Sequence, residues 1–282
     1  MCARALASLF LPVLLVACAS SCSKQAPADE PAAPPADGAA DAPAAPSSAP
    51  GGRSRVAAAT LTGSEPYASD TLGALHGTVL FTGTAPERFP QGADKNADCK
   101  HHADVDQRQN LVVVNDGKLA GAFVRLASGY DEAAVPALVD APLTLDQKGC
   151  MYVPRVLGLR VGQTLRVTNL DPTAHNVHAV PKRNDEVNRN MGRGQAPLEF
   201  RFERPERPVP FKCDIHPWMG AAVFVEEHPW YDVSDASGAF RIRDVPPGEY
   251  VVEAVHEKLG KVSAQVTVAA GQSTGFTLTL SM

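Results

Sequence analysis

The chain has no excess of positive charge: 26 Lys and Arg face 31 Asp and Glu, a net charge of −5 over 282 residues. That argues against nucleic acid as a partner, because a phosphate-binding surface is strongly basic. Beyond the first twenty residues there is no apolar run long enough to span a bilayer. There is no sustained helical period with caps either, and residues 131–139 are the best weak candidate for a helix. No acid–base or nucleophile pair suggests substrate turnover, so the chain does not read as an enzyme. Aromatic residues are scarce at 6%, while Pro (24) and Gly (22) are plentiful. Eight His and six Cys remain, and their placement carries most of the chemistry.

The first residues have the form of an export signal: Arg4, an apolar stretch over 5–16, then small residues. The run Leu15-Val16-Ala17-Cys18 resembles the bacterial lipobox, in which the Cys becomes the lipidated mature N-terminus. Residues 1–17 are therefore expected to be a signal peptide and Cys18 a lipid anchor in the periplasm. Ala19, in place of Asp, favours the outer membrane. Cleavage near Ala19 or Ser21, releasing a soluble protein, is the alternative. Residues 23–52 contain eleven Ala and seven Pro in thirty positions. Such a segment buries too little apolar surface to fold, so residues 18–70 are expected to be a disordered tether.

The remainder is short, alternating and strand-like over 76–83, 111–114, 122–126, 159–169 and 221–225, with Asn115-Asp116-Gly117 as a hairpin turn signal. From Trp230 onward apolar residues recur in twos: Phe240 and Ile242; Tyr250 and Val252; Val262, Ala264, Val266 and Val268; Phe276, Leu278 and Leu280. The fold class is all-β, in two units expected at 71–226 and 227–282.

The densest chemistry is Cys213-Asp214-Ile215-His216-Pro217-Trp218-Met219, with His175-Asn176-Val177 upstream after a strand-like run. Two imidazoles and a thiolate with a weak axial thioether form a copper-binding set, whereas structural zinc prefers a closed Cys/His tetrahedron. These residues resemble the cupredoxin family, and the short Cys-x2-His-x2-Met spacing is closest to amicyanin. The resemblance implies a Greek-key β-sandwich, one type 1 copper and one-electron transfer. Its ligands would be His175, Cys213, His216 and Met219. Asn176 would pin the two ligand loops together, and His216, Pro217 and Trp218 would form the electron port. His178 lies three residues beyond His175; on a strand the two point to opposite faces, so His178 is expected beside the site rather than on the metal.

Cys99 and Cys150 face an oxidising compartment and are expected to form a disulfide. The alternatives are two free thiols, or Cys99 joined with His101 and His102 in a second metal site. Asp235-Ala236-Ser237-Gly238-Ala239-Phe240 and Val245-Pro246-Pro247-Gly248-Glu249-Tyr250 resemble the carboxypeptidase regulatory-like (transthyretin-like) sandwich. That resemblance implies a structural or carbohydrate-binding accessory. His256 and Glu257 are expected to be a polar strand end, with facing the copper domain as the alternative. Residues 181–212 carry eight Lys and Arg against five Asp and Glu; this stretch would steer an acidic redox partner (a cytochrome or a dehydrogenase) or pack on the acidic C-terminal unit, and a solvated loop is the commoner case. The competing expectation is a copper- or carbohydrate-binding accessory without electron transfer. Labelled palmitate fed to producing cells tests the anchor: the native chain should take up label and Cys18→Ala should not, whereas equal labelling refutes lipidation.

Overall fold

The structure, a computed structural model, describes residues 55–56, 60–100, 102 and 104–282. The expected signal peptide, Cys18, most of the tether and His101 lie outside the described residues. Among the described residues no helix is long and apolar enough to cross a membrane. The helical candidate at 131–139 is a single 3-10 turn, Glu132–Ala134. Asp131 caps it by accepting from the Ala133 amide at 2.9 Å, and Pro136 follows too soon for a further turn.

The chain builds four sheets. One is ordered Arg55–Val56, Gly260–Val268, Gly248–His256, Phe123–Ser128 and Tyr231–Val233. A second runs Thr60–Pro66, Gln272–Ser281, Gly73–Thr82, Lys118–Ala120 and Val113–Asn115, with Ala239–Val245 also paired to Gly73–Thr82. Their inward faces share one apolar core that includes Leu75, Val79, Leu126, Val252, Phe276 and Leu278. The alternating residues from Phe240 to Leu280 are all buried there. The two remaining sheets are Leu198–Phe200, Leu165–Asn169, Leu143–Lys148, Met151–Val153 and Val187–Met191, His175–Ala179, Glu206–Lys212, Gly220–Glu226, Val156–Arg160. They enclose a second core around Leu145, Tyr152, Val167, Val177, Phe211 and Val223.

The strand pairing corrects the division at 226/227. Gly73–Thr82 lies between two strands from beyond residue 226, parallel to Gln272–Ser281 and antiparallel to Ala239–Val245. Phe123–Ser128 pairs with Gly248–His256 and Tyr231–Val233. Residues 73–128 and 231–281 thus form one outer sandwich, and the strands between Leu143 and Glu226 form a sandwich inserted into it. The tether also ends earlier than residue 70: Thr60–Pro66 is an edge strand on Gln272–Ser281, exposed along its whole length. The run 159–169 is two strands rather than one. Gly162, at φ +79°, turns the chain between Val156–Arg160 and Leu165–Asn169.

Local turn chemistry follows the sequence closely. Asp116 and Gly117 both have positive φ (49° and 75°), the requirement of a two-residue hairpin turn, and they join Val113–Asn115 to Lys118–Ala120. At 235–239 the Asp235 carboxylate accepts from the amides of Ser237 at 2.7 Å and Ala239 at 3.0 Å. Gly238 closes that turn at φ +72°, where a Cβ would meet the Val79 carbonyl oxygen at 2.7 Å.

Where the sandwiches meet, Phe123 of the outer one stacks on Phe224 of the inserted one, with ring centroids 4.3 Å apart and planes 8° apart. Stacking of this kind contributes roughly 0.5–1.5 kcal/mol beyond area burial. Glu226 is fully buried beside them. Its carboxylate lies 2.8 Å from Arg125 Nε and accepts from Arg207 Nε at 2.5 Å and Nη2 at 2.7 Å. Arg155 and Glu257 pair across the same junction at 2.7 Å, so Glu257 faces the inserted sandwich instead of ending a strand in solvent.

Two buried histidines are held well below their usual range. Burial, with Arg125 nearby, pushes His228 down to about 4, and burial, with Arg155 nearby, does the same to His256. The unfolded chain therefore takes up protons on both before the folded chain does. Stability is full above the unfolded value of 6.5 and falls as the pH drops through the folded values near 4. Denaturant titrations across that window should show a loss of roughly 3 kcal/mol per histidine, removed site by site in His228→Gln and His256→Gln. A flat profile would refute the assignment.

Candidate metal centre

Three strand ends bring the donors together. His175 opens the strand His175–Ala179, Cys213 follows Glu206–Lys212, and Met219 precedes Gly220–Glu226. The register His178↔Lys212 and Lys212↔Gly220 sets these ends side by side. The ligand loop closes on itself: the Met219 amide donates to the His216 carbonyl at 2.9 Å and the Cys213 amide to the Met219 carbonyl at 3.3 Å. His175, Cys213, His216 and Met219 are all buried.

His175 Nδ1 and His216 Nδ1 are 3.0 Å apart, and Cys213 Sγ is 3.9 Å from His216 Nδ1. One nitrogen from each imidazole and the sulfur all lie within 4.8 Å of one another. The Cys213 sulfur accepts from the amides of Asn176 at 3.3 Å and His216 at 3.4 Å. Burial opposes ionisation of the thiol, but the hydrogen bond with His175 and the backbone amides outweigh it and hold the thiol below its ordinary value. Burial likewise opposes charge on His175, and there Asp171 and Cys213 prevail and raise it. Burial, then the charge of His175, lowers His216. The donor set of two imidazole nitrogens and a thiol inclined to ionise, with a buried thioether in the same apolar cluster, fits copper better than zinc.

Asn176 connects the two loops. Its amide reaches Cys213 Sγ, and its side-chain oxygen accepts from the Asp214 amide at 3.3 Å. His178 stays apart from the donors, with Nδ1 2.8 Å from Asp214 Oδ2 and Nε2 2.8 Å from Glu186 Oε1. Of the port residues, His216 is buried, Pro217 exposed and Trp218 half-buried. The Cys99–Cys150 disulfide is formed, with Cα atoms 5.2 Å apart. It fastens the segment before residue 110 to the centre, and Gln107 Nε2 reinforces it by donating to the Cys99 and Gly149 carbonyls, both at 2.7 Å.

Two residues of the site escape the sequence reading. Asp171 is buried, and its Oδ2 sits 2.8 Å from His175 Nε2, which leaves Nδ1 aimed at the other donors. The Gly149 and Cys150 amides donate to the same carboxylate at 2.6 and 2.8 Å. Its available signal was its place four residues before a ligand candidate, since a metal-bound histidine usually gives its other ring nitrogen to a carboxylate. Tyr152 spans both ligand strands, its hydroxyl 3.1 Å from the Asn176 carbonyl and 3.2 Å from the Lys212 carbonyl.

With the geometry established, likeness to known proteins adds the following. Residues 215–281 match the carboxypeptidase regulatory-like domain. No curated protein matches the chain. Among solved structures, a reduced amicyanin mutant is 24% identical over 36% of this chain and 98% of its own, with a TM-score of 0.28. A copper-containing nitrite reductase from Thermus scotoductus SA-01 is 18% identical over 53% of this chain and 28% of its own, TM-score 0.29. A purple cupredoxin from Nitrosopumilus maritimus is 25% identical over 31% of this chain and 100% of its own, TM-score 0.26. At such TM-scores the likeness adds no weight to the geometry.

Asp171→Asn keeps the side-chain shape and removes the charge that orients His175. Competition against a chelator should show copper affinity falling by roughly tenfold to a hundredfold. Unchanged affinity would deny Asp171 a role at the centre.

Proposed function

We propose that the protein is an exported, Cys18-anchored one-electron carrier of the cupredoxin type, with one copper that His175, Cys213 and His216 would hold and Met219 would tune. The convergence of two imidazole nitrogens and one amide-bonded sulfur in a buried pocket is the observation that carries this reading. Bound copper would supply a couple whose two oxidation states both accept imidazole, with thiolate and thioether favouring the reduced one.

The chain's own residues do the rest. Asp171 fixes the tautomer and direction of His175. Two amides hold the Cys213 sulfur in place. Because the donors stand at ends of paired strands and are buried, they have little freedom to rearrange between oxidation states. Ile215, half-exposed at 50%, and Pro217 flank the His216 imidazole, an apolar surface suited to brief docking of a cytochrome or dehydrogenase. Export and the membrane tether rest on the sequence of residues 1–18.

Loading with Cu(II) should give an intense visible thiolate-to-copper band that is absent in Cys213→Ser, and a reversible potential by voltammetry. A loaded chain without that band ends the blue-copper reading. A band without a reversible couple favours copper binding without electron transfer.

A further inference from the structure

A cleft of about 370 Å³ opens between the two sandwiches, beside the metal donors. Leu111, Lys258 and Met282 line it from the outer sandwich, and Arg155, Pro217 and Trp218 from the inserted one. That volume falls at the small end of sites for small organic molecules, which are mostly apolar with a few placed polar groups. The apolar lining includes side chains open to solvent, Leu111 at 40% and Met282 at 63% exposure.

The polar groups of this cleft are unevenly satisfied. Arg155 gives Nη2 to Glu257 at 2.7 Å, but its Nη1 is buried with no hydrogen-bond partner. A buried donor left unpaired is costly, and more so on a charged group. Lys258 is exposed, and among the described residues no carboxylate lies at ion-pair distance from its ammonium. Arg88 also borders the cleft but is engaged by Asp106 at 2.9 Å, and Glu87 is the one carboxylate side chain in the lining. The unpaired Nη1 of Arg155 and the Lys258 ammonium are thus the donors left for an anion beside an indole wall.

We propose that this cleft binds a small aromatic carboxylate, with its ring against Trp218 and its carboxylate on Arg155 Nη1 and Lys258. The indole is held for that purpose by its own bond, Nε1 donating to the Cys150 carbonyl at 3.0 Å. Gly92 lets the opposite loop lie against the ring: it sits at φ +99°, and a Cβ there would be 3.4 Å from two indole carbons. The same indole has its centroid 5.2 Å from that of the His216 imidazole, so a bound ligand lies one side chain away from the metal donors.

Isothermal titration of the full chain with naphthoate tests this, with naphthylmethanol as the neutral analogue and inorganic phosphate as the bare anion. One naphthoate should bind per chain, at least roughly tenfold more tightly than either control, and Arg155→Met or Lys258→Glu should weaken it roughly tenfold or more. Lys258→Glu alters an exposed side chain with no ion pair, so the test stands even where Arg155→Met does not fold. Absence of binding, equal binding of the neutral alcohol or of phosphate, or indifference to Lys258→Glu overturns the proposal. Repeating the titration in EDTA separates it from the copper reading, since naphthoate should bind there whatever spectrum the copper-loaded chain gives.

Discussion

Glu226 is the constraint on which the arrangement of the two sandwiches turns. A carboxylate with no solvent exposure is tolerated only where cations meet it, and here Arg125 comes from the outer sandwich and Arg207 from the inserted one. Desolvation makes such a cluster a weak source of net stability, yet removing one member strands a buried charge at a cost of about 3–5 kcal/mol. The cluster therefore acts mainly as a lock on relative position. Glu226 closes the strand Gly220–Glu226, and the other end of that strand receives the chain directly from Met219. A single strand is fixed to the outer sandwich at one end and carries the donor loop at the other. Phe224, stacked on Phe123, fixes its middle.

The donors meet because backbone pairing leaves them no other place. Once Ala179 pairs with Phe211 and Phe211 with Ala221, the chain segments just beyond the paired residues must lie at one end of the paired strands. His175, Cys213 and Met219 occupy those segments, and the loop hydrogen bonds draw His216 inward. The cost of gathering buried polar atoms is offset locally: each has a hydrogen-bonded neighbour in Asp171, Asn176 or the loop backbone. The donor cluster is thus preorganised by the fold.

Much of this is legible in the sequence because it is local. Period-two alternation from Phe240 to Leu280 marks strand faces, Asp116-Gly117 marks its turn, and the Cys213–Met219 spacing marks a single loop. What is not legible is pairing over distance. Alternation shows that Leu75 and Val79 face a core but not that their strand lies between two from the far end of the chain. Hence the boundary at 226/227 followed sequence order, whereas the hydrogen bonds follow space. Thr60–Pro66 escaped for a different reason: every residue in it is exposed, so it has no apolar signature, and only its pairing with Gln272–Ser281 makes it a strand. Asp171 is illegible as a partner of His175 without the turn that folds it back.

Cys150 shows how tightly the remaining parts are joined. Its sulfur is bonded to Cys99, its amide donates to Asp171, and its carbonyl accepts from the Trp218 indole. Asp171 directs His175, and Trp218 packs against His216, so both imidazoles of the centre are referred to the backbone of one residue. That residue has φ +53°, a left-handed conformation that a side chain other than glycine adopts at a cost of order 1–3 kcal/mol. Such a conformation persists only where the surroundings over-determine it, and three separate bonds do so here. Glycine at this position would relieve the backbone but lose the link to Cys99, and with it the fastening of the 86–110 segment that forms one wall of the cleft. The strained residue is therefore where the disulfide, the metal donors and the cleft share one support.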